Sequence, residues 1–173
     1  MKPKSLLILF VWFITAGICT ILALFIWTSF QIKDTADVHD ENYSYNTTIL
    51  SIGSLTIEAE IADTAPLLVR GLSYRKELKE GSGMLFLFPE DGLYGFWMKD
   101  IHSPLDILWI DSKNRIVYIK ENVSPDTYPE LFTPPLPARA VLEIKAGLSG
   151  THNLKIGDLV HFEKNVQKNS LSL

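Results

Sequence analysis

The sequence predicts a compact, mostly β domain, a barrel or sandwich with one or two short helices, that follows a single transmembrane helix. Two observations predict the β-rich domain. Short apolar runs recur between closely spaced turn signals, and residues 55–61 alternate between apolar and polar side chains. A third observation predicts the transmembrane helix, since residues 5–32 contain no charged side chain. A chain of 173 residues suits one domain with an appendage of this kind.

The apolar stretch Leu6–Trp27 is long enough to cross a membrane. As a helix it would measure roughly 33 Å, against a bilayer core of about 30 Å. A cleaved signal peptide has a shorter apolar region, about 7–15 residues, followed by a small-x-small cleavage site that this stretch lacks. We therefore expect an uncleaved anchor, with the transmembrane helix at residues 6–28.

The charges that flank this stretch predict its orientation. Lys2 and Lys4 precede it, whereas four acidic residues follow it within residues 34–41. Because cytoplasmic flanks carry the excess of Lys and Arg, we expect residues 1–5 in the cytoplasm and an extracytoplasmic C-terminal domain. The membrane, contacted through residues 6–28, is thus one predicted partner. The chain has 20 acidic and 16 basic residues, two of the latter inside, and an acidic outer part argues against a nucleic acid partner.

Cysteine and histidine give no indication of a metal or cofactor site. Cys19 is the one cysteine and lies in the apolar stretch, so the outer domain has no disulfide framework, thiol nucleophile or cysteine-based metal site. The four histidines show neither His-x-His nor His-Glu-x-x-His spacing. We therefore predict neither a metal nor a cofactor.

The outer part divides into a linker, a β-rich domain and a tail. Residues 29–46 are polar and acidic without apolar periodicity, which is typical of a linker. The domain is expected at residues 47–164, and residues 165–173 form the predicted tail. Runs of strand length and composition cover residues 47–52, 55–61, 84–88, 95–99, 105–110, 115–120, 140–144 and 159–163.

Two short helices are expected beside the strands. Thr64 is a typical N-cap with Pro66 in the first turn, which predicts a helix to about Leu72. Residues 146–153 have room for one further helical turn. The proline-rich segment 125–137 is expected to be a stiff crossing that carries the chain back to the sheet.

Several short motifs follow one another along the domain. They read Arg70-Gly71-Leu72, Gly83-Met84-Leu85-Phe86, Phe96-Trp97-Met98-Lys99, Pro104-Leu105-Asp106 and Val141-Leu142-Glu143. In this order and spacing they resemble the domain-of-unknown-function family 192, over about residues 55–162. The resemblance implies a small β-rich fold, often exported or membrane-tethered, and no established activity.

The third motif continues in a way that departs from the family. The family usually has Lys-Asn-Thr after Trp-Met, whereas this chain has Lys99-Asp100-Ile101. This chain therefore lacks the asparagine side-chain amide that the family has here, and Asp100 and His102 can replace its polar contacts.

Asp106 is the best-supported candidate for a functional side chain. It lies in an apolar run, so we expect it to be buried, and a buried carboxylate needs a partner or a raised pKa. Arg70 and Arg75 are the expected partners, because a guanidinium binds a carboxylate through two hydrogen bonds. Either these groups form a structural ion pair that fixes the first helix to the barrel, or they belong to a ligand pocket. The candidate pocket residues are Arg70, Arg75, Trp97, Lys99 and Asp106.

Glu143 is the second candidate carboxyl group. Strand alternation places it opposite its two apolar neighbours in the run Val-Leu-Glu-Ile. With Asp106 it would form the acid–base pair of an envelope hydrolase. Alternatively, it faces solvent or pairs with Arg75 or Arg139.

The sequence favours a binding or accessory module over an enzyme, because the polar candidates form no recognisable catalytic set. The expected partner is a small or polymeric envelope ligand or another protein. Two alternatives stay open: an envelope hydrolase that uses Asp106 and Glu143, and a purely structural or assembly role in which every charged residue serves the fold.

Overall fold

A computed structural model describes residues 43–162, which contain seven strands, two α-helices and one 3-10 helix. The strands are β1 (Asn46–Ile52), β2 (Leu55–Ala62), β3 (Ser82–Gly92), β4 (Leu105–Ile110), β5 (Ile116–Val123), β6 (Ala138–Lys145) and β7 (His161–Phe162). The helices are α1 (Ala65–Arg70) and α2 (Leu148–Thr151), and the 3-10 helix covers Pro125–Thr127. The prediction of a mostly β domain with short helices is confirmed.

The strands form one sheet in the order β5-β4-β6-β3-β2-β1-β7. Every neighbouring pair is antiparallel except β2 and β3, which are parallel and connected through α1. The two outer strands meet at one end, where Arg115 bridges to Leu159 and the Ile116 N–H donates to the Asp158 carbonyl at 3.0 Å. The sheet therefore curls into a half-barrel.

Each face of the curled sheet carries its own apolar core. The inner face buries alternate residues such as Leu108 and Leu142. The outer face buries the residues between them, such as Trp109 and Val141, under α1 and the segments that follow β3 and β5. Successive side chains of a strand point to opposite faces, and both faces of this sheet are covered. Every residue of β4 and most residues of β6 are therefore buried.

Helix α1 lies against the outer core and ends sharply. Pro66 occupies its first turn, and Leu67 and Leu68 pack against the apolar cluster. Gly71 caps the C-terminus of the helix, and its φ of +52° favours glycine. A Cβ atom there would also lie only 3.2 Å from the Phe86 ring.

Two predictions about local structure need correction. Residues 95–99 do not form a strand, because this segment crosses the outer face and its backbone pairing is a bridge between Phe96 and Phe132. The helix expected to reach Leu72 ends at Arg70. The predicted turn of helix within residues 146–153 is present as α2.

The predicted transmembrane helix at residues 6–28 lies outside the described residues, as do the first part of the linker and the tail at residues 165–173. None of the helices within residues 43–162 is long and apolar enough to span a membrane.

Candidate functional site

A cavity of about 170 Å³ opens on the outer face of the sheet, between the end of α1 and the segment after β3. Its apolar wall consists mainly of aromatic rings. The rings that line it belong to Phe86, Phe88, Tyr94, Phe96 and Trp97. Three polar side chains with charge or hydrogen-bonding capacity also line it, namely Arg70, Ser73 and Lys99, and Glu143 lies at its floor.

The aromatic wall is held in place by ring contacts and by side-chain hydrogen bonds, one of which the Tyr94 hydroxyl donates to the Glu90 carbonyl at 2.7 Å. Phe86 and Phe96 meet edge to face with ring centroids 4.8 Å apart, and Phe88 stacks on Tyr94 at 3.5 Å. The buried Trp109 indole N–H donates to the Tyr94 carbonyl at 2.7 Å. The irregular segment after β3 is therefore fixed by the sheet beneath it.

Glu143 projects from β6 onto the outer face, with Met84 and Ile107 as its register neighbours on β3 and β4. It is 3 % exposed. Within residues 43–162 no group donates a hydrogen bond or forms an ion pair with its carboxyl, and burial raises its pKa to about 8. At neutral pH this carboxyl is therefore mostly protonated and uncharged.

Two cationic side chains line the mouth of the cavity. The Arg70 guanidinium is half-buried and lies over the Tyr43 ring at 4.5 Å and the Tyr74 ring at 5.8 Å. The Lys99 ammonium is exposed and lies 5.9 Å from the Trp97 ring centroid. Aromatic faces thus help to hold both charges in position at the mouth.

Two tight turns tie the end of α1 to the segment that carries Lys99. The Tyr74 N–H donates to the Asp100 carbonyl at 2.8 Å, and the Ser73 hydroxyl donates to the Lys99 carbonyl at 3.0 Å. Tyr74 and Asp100 have φ angles of +68° and +56°, a conformation that Asp and Asn tolerate better than most residues. Strained backbone of this kind concentrates at ligand clamps.

A second, shallower cavity of about 520 Å³ lies on the other side of these turns. It shares Arg70, Ser73 and Lys99 with the first cavity and adds Tyr43, Tyr74 and Asp100 to its lining. The two cavities therefore adjoin each other at these shared residues, which also include Val69.

Asp106 does not belong to this site. It projects from β4 onto the inner face, opposite to Glu143, since its register partner on β6 is Ile144. It is fully buried and accepts hydrogen bonds from the backbone N–H groups of Asn122 at 2.8 Å and Ser149 at 2.9 Å. The prediction of an ion pair with an arginine is wrong, because backbone amides satisfy the carboxylate instead.

The arginines expected to meet these carboxyls have other partners. Arg75 forms two hydrogen bonds with Glu60, one of them at 2.8 Å, and these bonds raise its pKa. Arg139 pairs with Asp91 at 2.7 Å on the surface. Neither arginine lines the cavity, so neither pairs with Glu143. Glu143 is also buried rather than solvent-facing. The alternative that it faces solvent or pairs with Arg75 or Arg139 is therefore wrong.

Of the predicted site residues, the structure brings together Arg70, Trp97, Lys99 and Glu143 and leaves out Arg75 and Asp106. Because Asp106 and Glu143 project from opposite faces of the sheet, they cannot form the two-carboxyl set that the hydrolase hypothesis requires. Of the aromatic wall, the sequence reasoning included Trp97 among the pocket candidates but not Phe86, Phe88 or Tyr94. The density of aromatic residues between positions 86 and 97 was a signal for them.

Residues 43–162 contain no group of three His, Cys, Asp or Glu side chains placed to hold a metal ion.

The fold and site together define a small domain with a curled β-sheet and an aromatic cavity closed at its floor by a carboxyl group. The family model of domain-of-unknown-function family 192, described as "Uncharacterized ACR", matches residues 48–162, and the chain belongs to this family. A search of curated proteins found no significant match.

Two solved structures are similar over nearly their whole length. A protein of unknown function from Novosphingobium aromaticivorans DSM 12444 is 27% identical with a TM-score of 0.66, and the match covers 73% of this chain and 95% of that one. A candidate transcription regulator from Sinorhizobium meliloti 1021 is 29% identical with a TM-score of 0.64, and the match covers 72% of this chain and 98% of that one.

Proposed function

We propose that the chain is a membrane-anchored binding module whose outer domain holds a small ligand, or one end of a polymeric ligand, in the aromatic cavity. The anchor is the apolar stretch at residues 6–28, and the domain lies on the extracytoplasmic side. The ligand has an apolar body that enters between the aromatic rings and an anionic group that stays at the mouth beside Arg70 and Lys99.

The observation that supports this proposal most is the buried Glu143 carboxyl without a partner on the cavity floor. Burial disfavours the charged form of this carboxyl and raises its pKa, so a purely structural role would favour an apolar side chain at this position. A ligand that bonds to the carboxyl would give the residue a purpose that the fold alone does not.

The other functional alternatives have less support. The hydrolase needs Asp106 beside Glu143, and these residues lie on opposite faces. A structural role accounts for Asp106 and Arg75, which bond within the domain, but not for Glu143. The description of the Sinorhizobium protein favours transcriptional regulation, but a formal net charge of −4 gives no electrostatic attraction to nucleic acid phosphates, so we propose no nucleic acid partner.

A titration of the full-length protein with phenylacetate and hexanoate, followed by changes in tryptophan fluorescence, tests the binding proposal. Trp97 is 48 % exposed at the cavity mouth and should report on occupancy. Lys99→Ala should weaken binding about tenfold through loss of one charge-assisted contact. Lys113→Ala is the matched control, since Lys113 is an exposed lysine that lines neither cavity.

Binding that is absent, or that the two lysine variants change equally, would contradict a site at this cavity. The membrane part of the proposal has its own test: once every layer outside the anchoring membrane has been removed, added protease should digest the outer domain. Protection of the domain in such cells, with digestion only after lysis, would place it on the cytoplasmic side instead.

A further inference from the structure

The chemistry of the cavity floor indicates which group of a ligand it accepts, on the assumption that the proposed binding function holds. Five aromatic rings surround a cavity whose deepest polar group is the carboxyl of Glu143. Ring faces carry partial negative charge and attract cations, and aromatic cages with this property bind alkylammonium groups. A carboxylate at the end of such a cage adds a full negative charge and hydrogen-bond acceptors.

The floor of the cavity favours a cationic group of the ligand, whereas its mouth favours an anionic group. Arg70 and Lys99 line the cavity. Lys99 is exposed and Arg70 is half-buried, whereas Glu143 is 3 % exposed. The two positive charges therefore lie nearer the mouth than the floor. A ligand with a cationic group alone would be repelled on entry, whereas a ligand with an anionic group at its outer end would be held there.

The size of the cavity limits the group that enters. A cavity of about 150 Å³ accepts one benzene molecule, and this cavity measures about 170 Å³. That space suits an alkyl chain of a few carbons that ends in one ammonium group. The rest of the ligand would lie over the shared side chains and the shallower cavity of about 520 Å³.

We propose that the cavity binds the ammonium end of a zwitterionic ligand of the ω-amino acid type, with the ammonium group at Glu143 and the carboxylate at Arg70 and Lys99. The bound form is an ion pair, so the neutral Glu143 carboxyl gives its proton to solvent as the ammonium group enters. Each charged end of the ligand meets side chains of opposite charge, the proton released from Glu143 goes to solvent, and no other reactant is needed.

Three probes of similar length separate this inference from the general binding proposal. The probes are 6-aminohexanoate, hexanoate, which lacks the ammonium group, and hexylamine, which lacks the carboxylate. Isothermal titration of the full-length protein should give a dissociation constant for 6-aminohexanoate at least about tenfold below that of either single-ended probe. Titration at pH 7 in two buffers of different ionisation enthalpy should show release of nearly one proton for each molecule bound.

The dependence of affinity on pH gives a second test that needs no variant. Because Glu143 must lose a proton, the affinity for 6-aminohexanoate should rise about tenfold for each pH unit below the pKa of about 8 and level off above it. Arg70, Lys99 and Tyr94 are the other titratable side chains that line the cavity. A ligand that instead accepts a hydrogen bond from the protonated carboxyl would bind more weakly above pH 8.

Glu143→Gln should reduce the affinity for 6-aminohexanoate about 30-fold or more at pH 8 and leave hexanoate within about threefold of the parent. Glu58→Gln is the matched control, because Glu58 is an exposed strand glutamate outside the cavity. Equal binding of 6-aminohexanoate and hexanoate without proton release would overturn the ammonium inference and leave the binding module standing. Failure of all three probes to bind would count against both.

Discussion

Asp106 and Glu143 form a natural comparison within one sheet. Both are buried carboxyl groups on the adjacent strands β4 and β6, and they differ by one residue in register. Asp106 faces the inner core and accepts hydrogen bonds from two backbone N–H groups. Glu143 faces the outer core and bonds to nothing within residues 43–162, at the floor of a cavity.

The difference teaches that burial alone does not identify the role of a carboxyl group. A satisfied group contributes to the stability of the fold, and its removal leaves donors without a partner. An unsatisfied group weakens the fold, and such positions concentrate at functional sites. The partners of each carboxyl, rather than its depth, therefore separate the structural residue from the candidate binding residue.

The largest effect is expected for Asp106→Ala. The substitution leaves the N–H groups of Asn122 and Ser149 without an acceptor, and unsatisfied buried donors cost about 1–3 kcal/mol each. We expect a loss of about 3–5 kcal/mol in the free energy of unfolding, measured by urea denaturation. Asp106→Asn keeps one acceptor oxygen and should lose about half as much. A loss below about 1 kcal/mol for Asp106→Ala would remove the contrast with Glu143.

The second-largest effect concerns Glu143, whose titration should make the free energy of unfolding depend on pH. Its folded-state pKa of about 8 lies above the ordinary value of 4.5, so between these values the folded state binds more protons than the unfolded state. The contribution of the protonated Glu143 to the free energy of unfolding is therefore fully present below about pH 4.5 and is lost as pH rises through about 8. Relative to Glu143→Gln, which removes the titration, the parent should lose about 2–4 kcal/mol between pH 5 and pH 8.

Urea denaturation of both proteins at several pH values measures this difference, because titrations elsewhere in the domain cancel between them. Parallel pH profiles for the parent and Glu143→Gln would show that the carboxyl ionises normally in the folded state. In that case the contrast between the two carboxyl groups, and the reason to place a ligand at Glu143, would lose its physical basis.

A smaller effect is expected for Arg75, whose pairing with Glu60 is only partly buried. The two side chains are 20% and 30% exposed and bond through both oxygens, which favours a real contribution to stability. Arg75→Ala should cost about 1–2 kcal/mol in thermal or urea unfolding. Arg139→Ala is the matched control, because its pair with Asp91 is exposed and should contribute much less. Equal losses for both variants would argue against this ranking of the pairs.

The sequence carried enough information for most of the sheet and little for the site. Alternation in residues 55–61 and the Gly53-Ser54 turn identify β1 and β2, because both signals are local. Residues 95–99 have the composition of a strand, but they cross the outer face, and within residues 43–162 their strand-type backbone pairing is a single bridge between Phe96 and Phe132. Tertiary packing overrides local propensity there.

The roles of Asp106 and Glu143 could not be predicted from the sequence, for two different reasons. Alternation shows that Glu143 points away from its neighbours, but it does not reveal that both faces of this sheet are covered. The partners of Asp106 are backbone N–H groups of Asn122 and Ser149, 16 and 43 residues away in sequence. Every residue except proline has such a group, so no side-chain pattern could indicate this contact.

The smallest effect is expected for Ser149→Ala, which separates the backbone of this residue from its side chain. Its N–H donates to Asp106, but its buried hydroxyl oxygen has no hydrogen-bond partner among the described residues. The substitution keeps the backbone bond and removes an unsatisfied polar group, so the free energy of unfolding should stay equal or rise by up to about 1 kcal/mol. A double-mutant cycle with Asp106→Ala should then show coupling below about 0.5 kcal/mol, since the two substitutions remove no shared contact. Coupling above about 1 kcal/mol would mean that the hydroxyl takes part in holding Asp106, so that backbone donors alone would no longer account for the stability of this carboxylate.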